Sequence, residues 1–373
     1  MKIFYSCLSK SWGGMEMFTL TAIKQLLSRN IQVELLCAKE SRIHIEARSI
    51  GIIIHPIKLS GAIHPYATIK VTSIIRRSNF DLVHTQASKD LWLLVPALKL
   101  LGSKIPLLLT KQVGSYIVKK DILHKWIYKR VTYAIAISNV IKQNLIDTCP
   151  IESNNVILLH NGIDTRKFDS SRNDLKEVRK EFQIKQGEIV IGMMARFSPG
   201  KGHEDFLEAA NILTKKYSHL KFIITGEASR GEGNYAVSIK KLASDMGLMN
   251  VIFAGYRPDT PDVLNSLDIF VFPSHNEALG IALIEAMAMS KPSVCSNSDG
   301  VLDIAIDGET SLLFETKNAE DLSNKIEELI NSNQMRIKLG QGARKRVVKK
   351  FDIELLTSEI INIYERSINK END

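Results

Sequence analysis

The chain has 373 residues, 45% hydrophobic and 24% charged, with a net charge of +8. That length is too great for a typical single core, so two domains are expected, and the globular composition without low-complexity tracts excludes a disordered or fibrous protein. The charge is lopsided: residues 1–165 carry 21 Lys and Arg against 10 Asp and Glu, and the remainder 28 against 31.

A basic first half implies an anionic contact on that side only: nucleic acid, anionic lipid or a phosphorylated glycan. No segment interleaves basic and aromatic residues in the manner of a nucleic-acid binder, so nucleic acid is not expected as a partner. Cys7, Cys37, Cys149 and Cys295 lie far apart in mostly apolar runs. They lack zinc spacing and are read as reduced and buried. The apolar run at the N-terminus is too short for a signal peptide, and no run approaches the ~20 residues that span a bilayer. The expected location is the cytoplasm, with at most peripheral attachment to the inner face of the membrane.

In chain order, KIFYSCL (2–8) reads as a buried strand. SKSWGG follows as a glycine-containing loop, and then an amphipathic helix begins at Met15. Strand, glycine loop and helix open a nucleotide-binding type of α/β unit, although no G-x-G-x-x-G is present. Gly13 and Gly14 would let that backbone approach a phosphate. Strand-like runs recur at 32–37, 52–57, 81–84, 106–110, 133–138 and 156–161, with helical stretches near 64–78, 88–101, 118–130 and 139–147. Such alternation predicts a parallel sheet covered by helices. The charged, strandless residues 165–186 read as a domain linker.

The pattern restarts with strands at 188–194, 221–225, 251–255, 268–273, 293–296 and 311–314. Helices are expected at 201–217, 234–247, 280–289, 301–306, 318–332 and 334–349, before the closing segment FDIELLTSEIINIYERSI. The first of these strands ends in ARFSPGKG, where Arg196 and Lys201 flank a turn at a helix start; two cations with free helix N–H groups suit a diphosphate. The stretch FPSHNEALGIALIEAMAMSKP (272–292) is apolar on all sides of its helix except at Glu285, a carboxylate that needs a partner if it is buried. Glu277 precedes it by eight residues, a rise of roughly 12 Å if all were helical. Two doubly wound domains place the expected ligand site at strand ends, in a cleft between them.

The quoted motifs carry a resemblance. GGME (13–16), DLVHTQ (81–86), AISNVIKQNL (136–145), HNGIDTRKF (160–168), ARFSPGKG (195–202), the Glu277-to-Glu285 E-x7-E segment and SDGVLDIAIDGETSLLF (298–314) resemble a family 4 retaining glycosyltransferase of GT-B fold. The resemblance spans essentially the whole chain. It implies an α/β protein of two Rossmann-like domains. Residues 1–165 would bind acceptor, residues 166–350 would bind the nucleotide-sugar donor, and a C-terminal helix over 351–373 would cross back to the first domain.

By the same resemblance Arg196 and Lys201 would hold the donor diphosphate and stabilise the leaving group. Glu285 would hold the ribose hydroxyls, and Glu277 would sit beside the transferred sugar. Backbone amides from Ala278 through Leu279 to Gly280 would contact sugar or phosphate, and the Gly13-Gly14 loop would close on the donor. Many relatives carry a His after the fifth strand, where this chain has Leu109-Thr110-Lys111-Gln112; the role of that His is not transferred. Lys111, Gln112 and the strand-end His84 remain candidates on the acceptor side.

The expected reaction moves a sugar from a nucleotide-diphosphate sugar to a glycan or lipid-linked acceptor in cell-surface polysaccharide or lipopolysaccharide synthesis. No Asp-X-Asp motif is present, so neither a metal nor a cofactor is expected. A GT-B epimerase and a non-catalytic sugar-binding homologue are the alternatives; the intact set of Arg196, Lys201, Glu277 and Glu285 disfavours the second. The segment Ile117 to Arg130 reads as a basic amphipathic helix suited to an anionic membrane surface.

Overall fold

A computed structural model describes residues 1–59, 64–171, 175–228 and 231–372. The chain divides into two compact units, the first built from Met1–Asn161 with Ile353–Asp373 and the second from Gly162–Asp352.

The first unit holds seven strands: β1 (Lys2–Cys7), β2 (Gln32–Ala38), β3 (Ile53–Ile57), β4 (Leu82–Thr85), β5 (Leu107–Lys111), β6 (Tyr133–Ala136) and β7 (Val156–Leu158). They form one parallel sheet in the order β3-β2-β1-β4-β5-β6-β7. The strands are short and nearly all apolar because helices bury both faces. In β1, Ile3 pairs with Val33 on one side and Leu82 on the other. The order reverses at β1 and β4, the switch point where ligands of such sheets bind. The closing helix Ile353–Asn372 belongs to this unit. Arg29 fastens it through the Glu354 carboxylate at 2.9 Å and the Ser358 hydroxyl at 2.8 Å.

The second unit holds β8 (Ile189–Met194), β9 (Leu220–Thr225), β10 (Val251–Gly255), β11 (Ile269–Phe272), β12 (Ser293–Ser296) and β13 (Leu312–Phe314), ordered β10-β9-β8-β11-β12-β13. Its switch point lies between β8 and β11. Phe206, Phe222, Ile224, Val271, Leu322 and Ile326 belong to the core packed on this sheet.

Two expectations need correction. The units part at Asn161 and Asp352, a few residues from the expected 165 and 350. Ile163 N–H donates to the Phe351 carbonyl at 2.9 Å, and Ile163 bridges Asp352, so 162–168 is stitched to the second unit. Arg344 adds bonds to the carbonyls of Thr165 at 3.0 Å and Ala288 at 2.7 Å. Nor are residues 165–186 a linker. The helix Leu175–Glu181 lies there, and Arg179 donates to the Ser266 carbonyl at 3.0 Å and the Asp268 carboxylate at 2.8 Å. Its charges hid a docked helix whose polar groups are used in packing. Short helices at Arg42–Arg48 and Thr260–Ser266 were likewise unforeseen.

Candidate active site

The site is assembled at the carboxyl edge of the second unit's sheet, around the switch point. After β8 the chain turns through Ala195–Gly202 into the helix His203–Lys216. Gly202 has φ +74°, and a Cβ there would lie 2.1 Å from the Pro273 carbonyl oxygen. Only glycine lets this turn approach the end of β11 so closely. Gly226, at φ +141°, plays the same part against the Ala195 carbonyl, 1.9 Å from where its Cβ would be. The His275 N–H donates to the Gly200 carbonyl at 2.8 Å, and the His275 ring pairs with Asp205 at 2.6 Å. Within this frame Lys201 Nζ reaches Glu277 Oε2 at 2.6 Å, both side chains about four-fifths covered. The structure thus joins two residues that the sequence holds 76 positions apart.

The loop carrying Glu277 rests on the turn after β12. Gly300 N–H donates to the Glu277 carbonyl at 3.0 Å, and a Cβ on Gly300 would meet the Ala278 carbonyl at 2.3 Å. Gly280 then takes φ +105° and starts the helix Ile281–Ala288. The helix therefore covers only the second half of the Glu277–Glu285 interval, and the roughly 12 Å rise of an all-helical interval does not apply. No side chain caps this helix. The amides of Gly280, Ile281 and Ala282 find no acceptor among the described residues. Free amides at a helix start, beside the Lys201 ammonium, make a seat for an anion.

Glu285 lies one turn further in. Leu283, Ile284, Ala286 and Met287 around it are buried. Burial pushes its carboxyl up to about 7, against a smaller opposing pull from Lys167. Among the described residues no hydrogen bond or ion pair reaches its carboxylate. Glu285 keeps some exposure, but a largely covered acid with no partner is costly for the fold alone, which makes it a candidate group for a ligand. Arg196 is solvent-exposed on the Ala195–Gly202 turn. Leu279 is buried and orients the loop by packing, so only its backbone is available to a ligand.

In the first unit the expected residues divide. His84 is buried with both ring nitrogens engaged, Nδ1 to the Tyr364 hydroxyl at 2.7 Å and Nε2 to Thr110 at 2.8 Å. Burial lowers its pKa to about 3, so it stays neutral and pins the closing helix to the sheet. Gln112 sits inside a chain in which Asn161 donates to Gln112, Gln112 to Gln86, and Gln86 to Tyr5, each within 2.7 Å. Lys111 is buried and donates to the Ser88 hydroxyl at 3.1 Å. Gly13 caps the helix Gly14–Leu27 with an extended backbone that any residue adopts, and a Cβ on Gly14 would meet nothing within 4 Å. The unit's own fold therefore makes no demand for glycine at position 14, and the Gly13 backbone makes none by its conformation.

Sequence reasoning missed Asp205, the partner of His275, and Asp90, which accepts bonds from Ser6 at 2.7 Å, Thr85 at 3.1 Å and the Leu8 amide at 3.2 Å. Both lie in polar stretches where a carboxylate carries no local signal. All four cysteines are buried and free.

Two family models match in tandem, "Glycosyltransferase Family 4" over residues 12–167 and "Glycosyl transferases group 1" over residues 174–346. The chain is 30% identical over 241 residues to the capsular polysaccharide biosynthesis glycosyltransferase CapM of Staphylococcus aureus, covering 62% of this chain and 61% of that one. It is 25% identical over 385 residues, 97% of this chain and 98% of that one, to the N,N'-diacetylbacillosaminyl-diphospho-undecaprenol alpha-1,3-N-acetylgalactosaminyltransferase of Campylobacter jejuni. Among solved structures, Anabaena Alr3699/HepE in complex with UDP and glucose superposes with a TM-score of 0.86 at 20% identity, over 98% of this chain and 99% of that one.

Proposed function

The chain belongs to glycosyltransferase family 4, and from that premise we propose that it moves a sugar, with retention, from a nucleoside-diphosphate sugar to a glycan carried on a lipid diphosphate. The observation that carries the donor half is the anion seat at the start of helix Ile281–Ala288, flanked by the Lys201–Glu277 pair and the unpartnered Glu285. Arg196, Lys201 and the free amides take the diphosphate. Glu285, once ionised, accepts from the ribose hydroxyls, and Glu277 accepts from hydroxyls of the sugar. The HepE complex with UDP and glucose supports UDP-glucose as the first donor to test. The diphospho-undecaprenol in the Campylobacter relative's name supports the lipid diphosphate.

In the reaction the bond from the anomeric carbon to the phosphate oxygen breaks and a bond to the acceptor oxygen forms. Lys201, Arg196 and the helix amides stabilise the charge that develops on the leaving diphosphate, the work a divalent metal does elsewhere. We read the reaction as metal-independent for that reason. Glu277 shares its charge with an ammonium 2.6 Å away, which blunts it as a nucleophile. This favours the route in which the departing phosphate itself takes the acceptor proton on the same face of the sugar.

No helix among the described residues is long and apolar enough to cross a membrane. On the proposed reading the protein meets a lipid-borne acceptor at the surface of the bilayer, from the cytoplasm. The test is release of UDP from UDP-glucose, or from another UDP-sugar, in the presence of glycosylated lipid diphosphates in vesicles. Release that needs the acceptor and yields an α-linked product supports the reading. Failure of every UDP-, GDP- and ADP-sugar to bind or turn over rejects it.

A further inference from the structure

Lys111 ends β5 and Ser88 follows β4, so adjacent strands deliver them to the carboxyl edge of the first unit's sheet. Lys111 is only 6% exposed, and its Nζ donates to Ser88 Oγ at 3.1 Å. The foremost charge acting on it is another ammonium, that of Lys119. Burial and that neighbour bring Lys111 down to about 8, opposed only by the Cys149 thiol. The Lys119 N–H donates to the Thr148 carbonyl at 2.6 Å, so the second lysine is held in place by its backbone.

No carboxylate among the described residues pairs with either ammonium. The acids nearest in sequence are committed elsewhere: Asp90 to Ser6, Thr85 and Leu8, and Asp121 to His124 and the amides of Leu123 and His124. Two neighbouring ammoniums, one of them buried, are unfavourable without a counter-charge. The Lys111 ammonium and Ser88 hydroxyl, with Lys119 near enough to act on that ammonium, match the oxygens of a phosphoryl group.

The loop that carries Lys119 also carries an apolar surface. Val113, Tyr116, Ile117, Val118, Ile122 and Leu123 are each at least 62% exposed, with Trp126 at 42%. Lys120, Lys125 and Lys129 stand exposed among them. Exposed apolar residues this dense in sequence mark a contact surface, and the surrounding lysines fit an anionic bilayer. This differs from the expected amphipathic helix over 117–130. Asp121 caps a helix of only Ile122–Tyr128, Ile127 is buried, and Arg130 is spent on the carbonyls of Ser103 and Ile105.

We propose that Lys111, Lys119 and Ser88 form a subsite for the phosphoryl group that joins the acceptor glycan to its lipid, while the Val113–Trp126 surface lies against the lipid itself. The proposal rests on the lipid-diphosphate reading above and adds where that diphosphate binds. The test uses farnesyl diphosphate and inorganic pyrophosphate as probes, with binding read by calorimetry, and UDP binding and UDP-sugar turnover measured in parallel. In the unaltered protein farnesyl diphosphate should bind more tightly than pyrophosphate, because only it reaches the apolar surface. Lys119→Gln and Lys111→Gln should each weaken farnesyl diphosphate about tenfold or more, the loss expected of one charge-assisted bond. Arg196→Ala should weaken UDP and leave farnesyl diphosphate unchanged. Lys119 is part-exposed and no hydrogen bond or ion pair among the described residues holds its side chain, so that variant decides the matter if Lys111→Gln does not fold. Unchanged farnesyl diphosphate binding in Lys119→Gln, loss only in Arg196→Ala, or equal binding of the two probes would overturn the subsite. Absence of UDP-sugar binding and turnover throughout would instead reject the function from which it starts.

Discussion

Glu285 should be a residue that the empty protein would be more stable without at neutral pH. Its carboxyl lies at about 7 in the folded protein against an ordinary 4.5, and the cause is burial. Well below 4.5 it is protonated in both folded and unfolded chains and no penalty arises. As pH rises through the window between those values the unfolded chain ionises first, and the folded state loses stability until about pH 7. A displacement of that size corresponds to about 3 kcal/mol in full, of which about 2.5 kcal/mol falls between about pH 5 and about pH 8. Glu285→Gln removes the ionisation and keeps the shape. The buried amide brings a cost of its own, but that cost does not vary with pH. The quantity to measure is therefore the stability difference between variant and parent as a function of pH, from denaturant unfolding of the ligand-free protein. Circular dichroism reports both units, whereas tryptophan emission reports the first unit only, because Trp12, Trp92 and Trp126 all lie there. The variant should gain about 2.5 kcal/mol on its parent between about pH 5 and about pH 8 while binding the donor nucleotide at least about tenfold more weakly. A difference that is flat with pH would refute the account of Glu285 as an enclosed acid held for a ligand.

Arg196→Ala and Lys201→Ala should each cost about 1.5–3 kcal/mol of donor-nucleotide affinity, as loss of a charge-assisted bond does; unchanged calorimetric affinity in both would dissolve the diphosphate assignment. Turnover should survive EDTA, and complete loss restored by Mg²⁺ or Mn²⁺ would show that a metal is needed after all. Gly14→Ala should leave the melting temperature within a degree or two, since its Cβ meets nothing within 4 Å, yet lower activity if that backbone approaches a ligand; full activity would remove the Gly13-Gly14 loop from the donor site. Co-sedimentation with vesicles should be strong for anionic lipid at low salt and weakened by replacing Ile117 and Ile122 with Ser; binding indifferent to lipid charge and salt would argue against an electrostatic, peripheral attachment.

Much of the fold was legible because a parallel sheet buried on both faces leaves a crude signal. Runs such as KFIIT and DIFVFP are largely apolar, and every expected strand is present with ends shifted by only a few residues. What was not legible was set by contacts remote in sequence. Leu175–Glu181 looked like a charged linker because its arginine serves the carbonyl of Ser266, 87 positions away. The early end of the first unit at Asn161 follows from Ile163 meeting Phe351, which no local pattern announces. In the site, the types of Arg196, Lys201, Glu277 and Glu285 were readable from spacing and resemblance, but not that Lys201 and Glu277 would pair.

That pairing separates the two glutamates physically. Glu277 is held in an ion pair with Lys201 at 2.6 Å, where on the proposed reading it accepts bonds from a sugar whose hydroxyls arrive and leave. Glu285 has no cation in contact and is charged only against the cost of its burial, so on the proposed donor reading its ionised form is worth most when ribose hydroxyls occupy it. Donor binding should consequently draw the Glu285 proton off, and the nucleotide and the proton should compete. Glycines at 202, 226, 280 and 300 make the arrangement possible, because each lets a backbone pass where a side chain would collide or adopts a turn that other residues resist. The expense of the site to the fold is therefore concentrated in one acid and a few glycines, while the sheets beneath are ordinary apolar cores able to carry it.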